Sequence, residues 1–180
     1  MDEETNGVRE RPRSAVPLDA KDRMLLALLG EDATRSYAEL GEAITLSAPA
    51  THERVKRLKR SGAIIGTIAK LDGPSVGRPL LAFVHVDTGG WGAKGAFLKM
   101  DKEPDVEEVH TVTGDACILM KVRCVDAQAL EDLLARIYAI DGVRGTRSYI
   151  ALSTYLERGP QAAVASSSSR TGAEGRRVRE

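Results

Sequence analysis

The sequence predicts an α+β protein in two parts, a three-helix head followed by a domain of four strands and two helices. Three observations predict it. A short, strongly cationic helix has both ends marked between Ser47 and Gly62; the hydrophobic period shortens after Gly62; and from Leu80 onward strand and helix patterns alternate. With 42% hydrophobic content over 180 residues, the chain can bury a substantial core and is not disordered as a whole.

Residues 1–16 are polar, rich in Glu and Arg and without apolar periodicity, which predicts a disordered arm. The head is read as 17–72. Its first helix opens at Leu18-Asp19-Ala20-Lys21-Asp22, where Asp19 can cap the free N–H groups and Asp22 places negative charge near the positive helix end. Leu25, Leu28 and Leu29 continue an apolar face. Ser36-Tyr37-Ala38-Glu39 has the capping-box pattern, and Leu40, Ala43 and Ile44 make a short second helix that ends near Thr45-Leu46.

In the third helix, Ser47 accepts from the first turn, Pro49 fits where no N–H partner is needed, and Gly62 stops the run. Thr51, Val55 and Leu58 share one inward stripe. The other faces carry Arg54, Lys56, Arg57, Lys59 and Arg60 against Glu53, a net charge of +4 on one element of a chain whose formal net charge is zero. Such a face commonly serves solubility. Here it follows a short capped helix across a tight turn, the helix-turn-helix arrangement, whose second helix enters the major groove of double-stranded DNA. Ala48, Pro49, His52 and Glu53 then lie nearest the bases, Arg54, Lys56, Arg57 and Arg60 reach phosphates, and Ser36, Tyr37 and Ser47 flank them at the helix starts. His52 either meets a base edge, with protonation adding charge, or stands in solvent and reads nothing.

Ala63 to Leu71 is β-rich and partly alternating, and suits a two-stranded wing, which would make the head a winged helix-turn-helix, or a strand leaving the domain. The turn-rich stretch 73–79 is read as a hinge linker. Beyond it, in 80–158, Leu80 to Thr88 reads as a strand, Trp91 to Glu103 as an amphipathic helix and Val106 to Thr113 as a strand. Cys117 to Val125 follows as a strand, Ala127 to Ile140 as a helix and Val143 to Leu156 as a long strand. That order is ferredoxin-like βαββαβ, an antiparallel sheet with helices on one face. Its bare face calls for a second copy, and two heads on a dimer match two DNA half-sites. Residues 159–180, with Ser166 to Ser169 and an Arg-rich end, predict a disordered tail.

Several classes are excluded. Cys117 and Cys124 are seven apart on one strand, hence on opposite faces, and are read as reduced core residues of a cytoplasmic protein. His52, His85 and His110 are scattered, so no metal site is expected. No apolar run is long enough for a membrane span. No nucleophile is paired with a base and no glycine loop cradles a phosphate, so no catalytic residue or cofactor is assigned.

The Leu-Asp-x-x-Asp opening, Leu46-Ser47 before the basic helix, Arg54-Val55-Lys56-Arg57-Leu58 followed by Gly62-Ala63-Ile64, and the downstream domain with Thr113-Gly114 and Gly142-Val143 carry a resemblance. Over about residues 18–157 the chain resembles the leucine-responsive/asparagine-synthetase regulators, the Lrp/AsnC family. The resemblance implies a transcription regulator whose C-terminal RAM domain dimerises and builds octamers or related rings. It also implies an amino-acid effector bound between dimers. In the family the turn between the second and third strands commonly reads Thr-Gly-x-aromatic-Asp. Here it reads Thr113-Gly114-Asp115-Ala116-Cys117, with Ala116 at the aromatic position and Cys117 at that of the usual Asp. Asp115 is then the carboxylate left to meet an α-amino group, and Thr146 and Ser148 resemble the paired hydroxyls of the same pocket. The competing reading is a stand-alone amino-acid sensor with only non-specific DNA affinity.

Overall fold

The computed structural model of the chain describes residues 17–89, 100 and 102–162. The described residues up to Ile68 form one compact unit and those from Ala69 to Glu157 another.

The first unit holds three helices, α1 (Ala20–Glu31), α2 (Tyr37–Ile44) and α3 (Ala48–Arg60). Each begins where a side chain takes up orphan N–H groups. Asp19 and Asp22 form one capping box and Ser36 and Glu39 another, and the Ser47 hydroxyl accepts from the Ala50 N–H. Leu25, Leu40, Ile44, Val55 and Leu58 make the core, ringed by Leu46, Ala63 and Ile64 among others. Between α2 and α3 the chain turns at Thr45, which adopts the left-handed conformation (φ 56°, ψ 58°). A Cβ added at Gly41 would lie 2.6 Å from the Leu46 carbonyl oxygen, so this close approach requires glycine.

The second unit holds β1 (Leu80–Thr88), β2 (Val106–Thr111), β3 (Ile118–Cys124), α4 (Ala127–Tyr138) and β4 (Val143–Ile150). The strands form one antiparallel sheet in the order β2-β3-β1-β4, the arrangement expected of a ferredoxin-like domain. Alternation decides the two faces. Ala82, Val84 and Val86 of β1 and Ile118, Met120, Val122 and Cys124 of β3 are fully buried, packed with Leu130, Leu133 and Ile137 of α4. The opposite face carries Phe83, His85, Lys121, Arg123, Arg147 and Tyr149, and Tyr149 is 54% exposed. On that face Glu157 and Glu107 bind Lys121 and Arg123, and Lys70 donates to the Glu157 carbonyl at 2.6 Å. Burial opposes the charge of Lys121, but these carboxylates outweigh it and raise its pKa, while Lys121 lowers that of Glu157.

Five expectations are corrected here. No residue from 61 to 73 is in a strand, so the described head has no wing. The Ile64 N–H is taken by the Leu58 carbonyl, and Ile65, Ile68 and Leu71 are exposed with no ladder partner among the described residues. The units divide between Ile68 and Ala69 rather than after 72. The stretch 73–79 is held to the second unit: it contains a 3-10 turn (Pro74–Val76), the Arg78 N–H donates to the Gly73 carbonyl, and the Arg78 guanidinium binds Asp105. The last strand stops at Ile150 instead of Leu156, because β1 begins at Leu80 and offers no backbone beyond the Ala151–Leu81 bond. The strand read as reaching Thr113 stops at Thr111, where the β2–β3 turn begins. The Trp91 to Glu103 helix falls largely outside the described residues; Met100 within it is helical and fully buried. The arm at 1–16 and tail residues 163–180 also lie outside them.

Candidate nucleic-acid interface

The helix-turn-helix presents one face of α3 outward. Thr51, Val55 and Leu58 are at most 3% exposed, and the Thr51 hydroxyl donates back to the Ser47 carbonyl at 3.0 Å, so this stripe fixes which side is buried. His52, Glu53, Lys56, Arg57, Lys59 and Arg60 are exposed, with Pro49 at the helix start. Tyr37, the first residue of α2, meets His52 edge-on with ring centroids 4.9 Å apart. Ser36 and Ser47 are exposed but spend their hydroxyls on helix caps, and the Ser36 hydroxyl lowers the Glu39 pKa. The sequence-assigned residues Ser36, Tyr37, Ser47, Ala48, Pro49, His52, Glu53, Lys56 and Arg60 therefore gather around the two helix starts and one exposed face.

Arg54 departs from its assignment, and Arg57 does so in part. The Arg54 Nη1 lies 2.5 Å from Asp19 Oδ2 and 2.7 Å from Asp22 Oδ1, with the Arg54 side chain 21% exposed. The hydrogen bonds to Asp19 and then Asp22 raise the Arg54 pKa, and the Arg54 bond lowers that of Asp19. Arg57 Nη2 lies 2.6 and 2.7 Å from the two oxygens of Asp22, although about half of its side chain stays in solvent. Asp22 itself is 1% exposed. Arg54 thus ties α3 to α1 rather than standing free for a phosphate, and the buried Asp22 carboxylate is satisfied by two guanidiniums and the Asp19 N–H.

The expected effector residues form two groups in one chain. The turn Thr113-Gly114-Asp115-Ala116-Cys117 joins β2 to β3 and is closed by the Val112 N–H donating to the Cys117 carbonyl. Gly114 has φ +129° with open space around it. The Asp115 carboxylate is engaged by Arg147, 2.9 Å away. Ala116 is buried, and the Cys117 thiol contacts the Thr88 carbonyl at 3.8 Å. Thr146 and Ser148 pair with Val86 and Val84, so their side chains point to the helix-covered face, whereas Arg147 lies on the other. The Thr146 N–H donates to the Tyr138 hydroxyl at 3.1 Å, which lowers the Tyr138 pKa. Among the described residues no group of three or more His, Cys, Asp and Glu could hold a metal, and no helix is long and apolar enough to cross a membrane.

Comparison with known proteins bears on this geometry. Residues 18–59 match the AsnC-type helix-turn-helix domain and residues 81–161 the Lrp/AsnC ligand binding domain. The chain is 35% identical to the transcriptional regulator LrpA of Mycobacterium tuberculosis over 77% of its own length and 92% of that protein. The chain belongs to the Lrp/AsnC family. Another Lrp/AsnC relative, regulator FL11 of Pyrococcus horikoshii, is 31% identical over 79% of this chain and 94% of its own. A solved feast or famine regulatory protein from M. tuberculosis, complexed with L-methionine, superposes with a TM-score of 0.74 at 34% identity, covering 78% of this chain and 96% of the other. This Lrp/AsnC chain is accordingly a DNA-binding transcriptional regulator.

Three features of this Lrp/AsnC chain went unread in the sequence: the Asp19/Asp22 clamp on Arg54 and Arg57, the Asp115–Arg147 pair, and Tyr138 beside Thr146. The first left a trace. Asp19 and Asp22 are three apart, as are Arg54 and Arg57, and opposite charges at matching helical spacing on two helices can face one another. The other two join residues on different elements, Asp115 with Arg147 and Tyr138 with Thr146, and no comparable spacing pattern announces them.

Proposed function

We propose that this regulator binds double-stranded promoter DNA through the outward face of α3 and that an amino-acid effector shifts its occupancy or assembly. The observation that carries the reading is the exposed cationic face of α3, set behind two capped helices in a chain of zero formal net charge. His52, Glu53 and the small residues Ala48 and Pro49 meet base edges, while Lys56, Arg57 and Arg60 meet phosphates, with Ser36, Tyr37 and Ser47 beside them. An amino-acid effector is proposed because the M. tuberculosis relative was solved with L-methionine. Thr113, Gly114, Asp115, Ala116, Cys117, Thr146 and Ser148 are proposed to line its pocket, completed by a second dimer. The protein acts without catalysis or cofactor, in the cytoplasm, as a dimer that assembles further, an octamer being the expected form. Residues 1–16 and 159–180 serve as arm and tail.

An effector changes DNA occupancy only if it binds one assembly better than another. The test is a promoter-DNA titration at two salt concentrations with a panel of free amino acids, with solution mass measured alongside. Salt-sensitive binding that one amino acid shifts together with the mass supports the proposal. Absence of DNA binding at low salt overturns the proposal and leaves the chain an unassigned ferredoxin-like sensor, whereas low-salt binding without preference for the promoter favours the stand-alone sensor with only non-specific affinity.

A further inference from the structure

Of the five cations on α3, only some are available to DNA. Arg54 and Arg57 are held by Asp19 and Asp22, and Lys56 stands 3.9 Å from Glu53. Lys59 and Arg60 have no ion-pair partner among the described residues. Bracing α3 against α1 does not by itself need charge. A buried ion pair is often no more stabilising than well-packed apolar side chains of the same volume, so bracing leaves the choice of an ionic clamp unexplained. Its location suggests the reason. Phosphate contacts by Lys and Arg supply affinity that is blind to sequence, and that affinity grows with every free cation on the recognition helix.

We infer that Asp22, assisted by Asp19, is a specificity-determining residue: it withholds the Arg54 guanidinium and part of the Arg57 fork from the phosphate backbone and so limits sequence-independent DNA binding. The clamp is graded. Arg54, 21% exposed and bound by both acids, is the more withdrawn, whereas Arg57, half exposed and bound to Asp22 alone, is oriented with part of its fork still outward. Asp22 touches no DNA in this scheme; it acts through the two arginines. The inference rests on the reading that α3 is the helix that meets DNA.

The experiment measures affinity of the full chain for a specific promoter and for random duplex across a salt series, comparing the parent protein with Asp22→Asn, Asp19→Asn and Lys56→Ala. Asparagine caps a helix start as well as aspartate, so Asp19→Asn removes charge while keeping the cap. The expected result for Asp22→Asn is tighter binding to random duplex, roughly tenfold near 0.1 M salt for each guanidinium freed. Its log K against log salt should steepen by about 1–2, and the specific-to-random ratio should fall. Asp19→Asn should show the same signs at smaller size, and it decides the matter if Asp22→Asn does not fold. A clamp that only braces the fold predicts the reverse, weaker binding to both duplexes with an unchanged or shallower slope, and that result overturns the inference. Lys56→Ala tests the reading beneath it: if its affinity and slope match the parent protein on both duplexes, α3 is not the DNA helix, whatever the aspartate variants do.

Discussion

Leu58→Ala gives the sharpest test of the two-unit architecture. Leu58 is 1% exposed, sits on the inward stripe of α3 and belongs to a core of five buried residues. Truncating a fully buried leucine costs about 2–5 kcal/mol, from lost transfer energy and the cavity left behind. A unit of roughly 50 residues has a total stability of about 3–8 kcal/mol, so one substitution removes half or more of it. At about 4–8 °C per kcal/mol, a loss of about 3 kcal/mol lowers the melting point of the head by 12–24 °C. The sheet keeps a core of its own, of Val84, Val86, Met120, Leu133 and their neighbours. Differential scanning calorimetry on the variant should therefore show the head melting early and the sheet transition in place, with oligomer mass unchanged and DNA binding lost near 37 °C. A single transition that shifts as a whole, or DNA binding that survives at the parent level, would refute the division into independently packed cores.

The remaining predictions concern caps, turns and acid. Ser47→Ala removes the hydroxyl that accepts from the Ala50 N–H and should cost the head about 1 kcal/mol, whereas Ser47→Gly costs only a few tenths; urea melts followed by circular dichroism distinguish the two. Gly114→Asp places a side chain at φ +129°, at a strain of order 1–3 kcal/mol although the space is open, and should abolish the effector response while DNA binding persists. An equal response in variant and parent removes the turn from the effector site. Glu157 and Asp19 are held below the usual carboxyl range by Lys121 and Arg54 respectively, so their stabilisation is complete above the unfolded pKa of about 4 and is lost as pH falls through the lower folded value. Thermal melts should be flat from about pH 7 to 5 and decline below about 4, and Glu157→Gln should flatten that decline for the sheet transition.

What was legible in the sequence was whatever local chemistry decides. Asp19, Ser36 and Ser47 start their helices where their side chains predict, because a cap is satisfied within three residues. The strands read at Leu80–Thr88 and Cys117–Val125 are found at Leu80–Thr88 and Ile118–Cys124, because burial on one side of a sheet imposes a period of two that the sequence carries. The misses are non-local. Ala63 to Leu71 has strand-forming composition, but a strand exists only where another backbone pairs with it, and none among the described residues does. The last strand ends where its neighbour begins, which the composition of 151–156 does not encode. Arg54 looked like any exposed cation on a basic helix until the fold brought Asp19 and Asp22 to it from some 30 residues away.

The contact between Gly41 and the Leu46 carbonyl has a consequence for how this head can change over time. A residue added at 41 would collide with backbone, which cannot rotate aside as a flexible side chain does. The angle at which α3 leaves its predecessor is thus written in an atom that is missing. Exposed positions of α3 outside the Asp22 clamp can be exchanged while the helix keeps its place, whereas position 41 admits almost no neighbouring solutions. On the proposed reading of α3, DNA targets can therefore diverge by changing the lettering on the helix without re-aiming it.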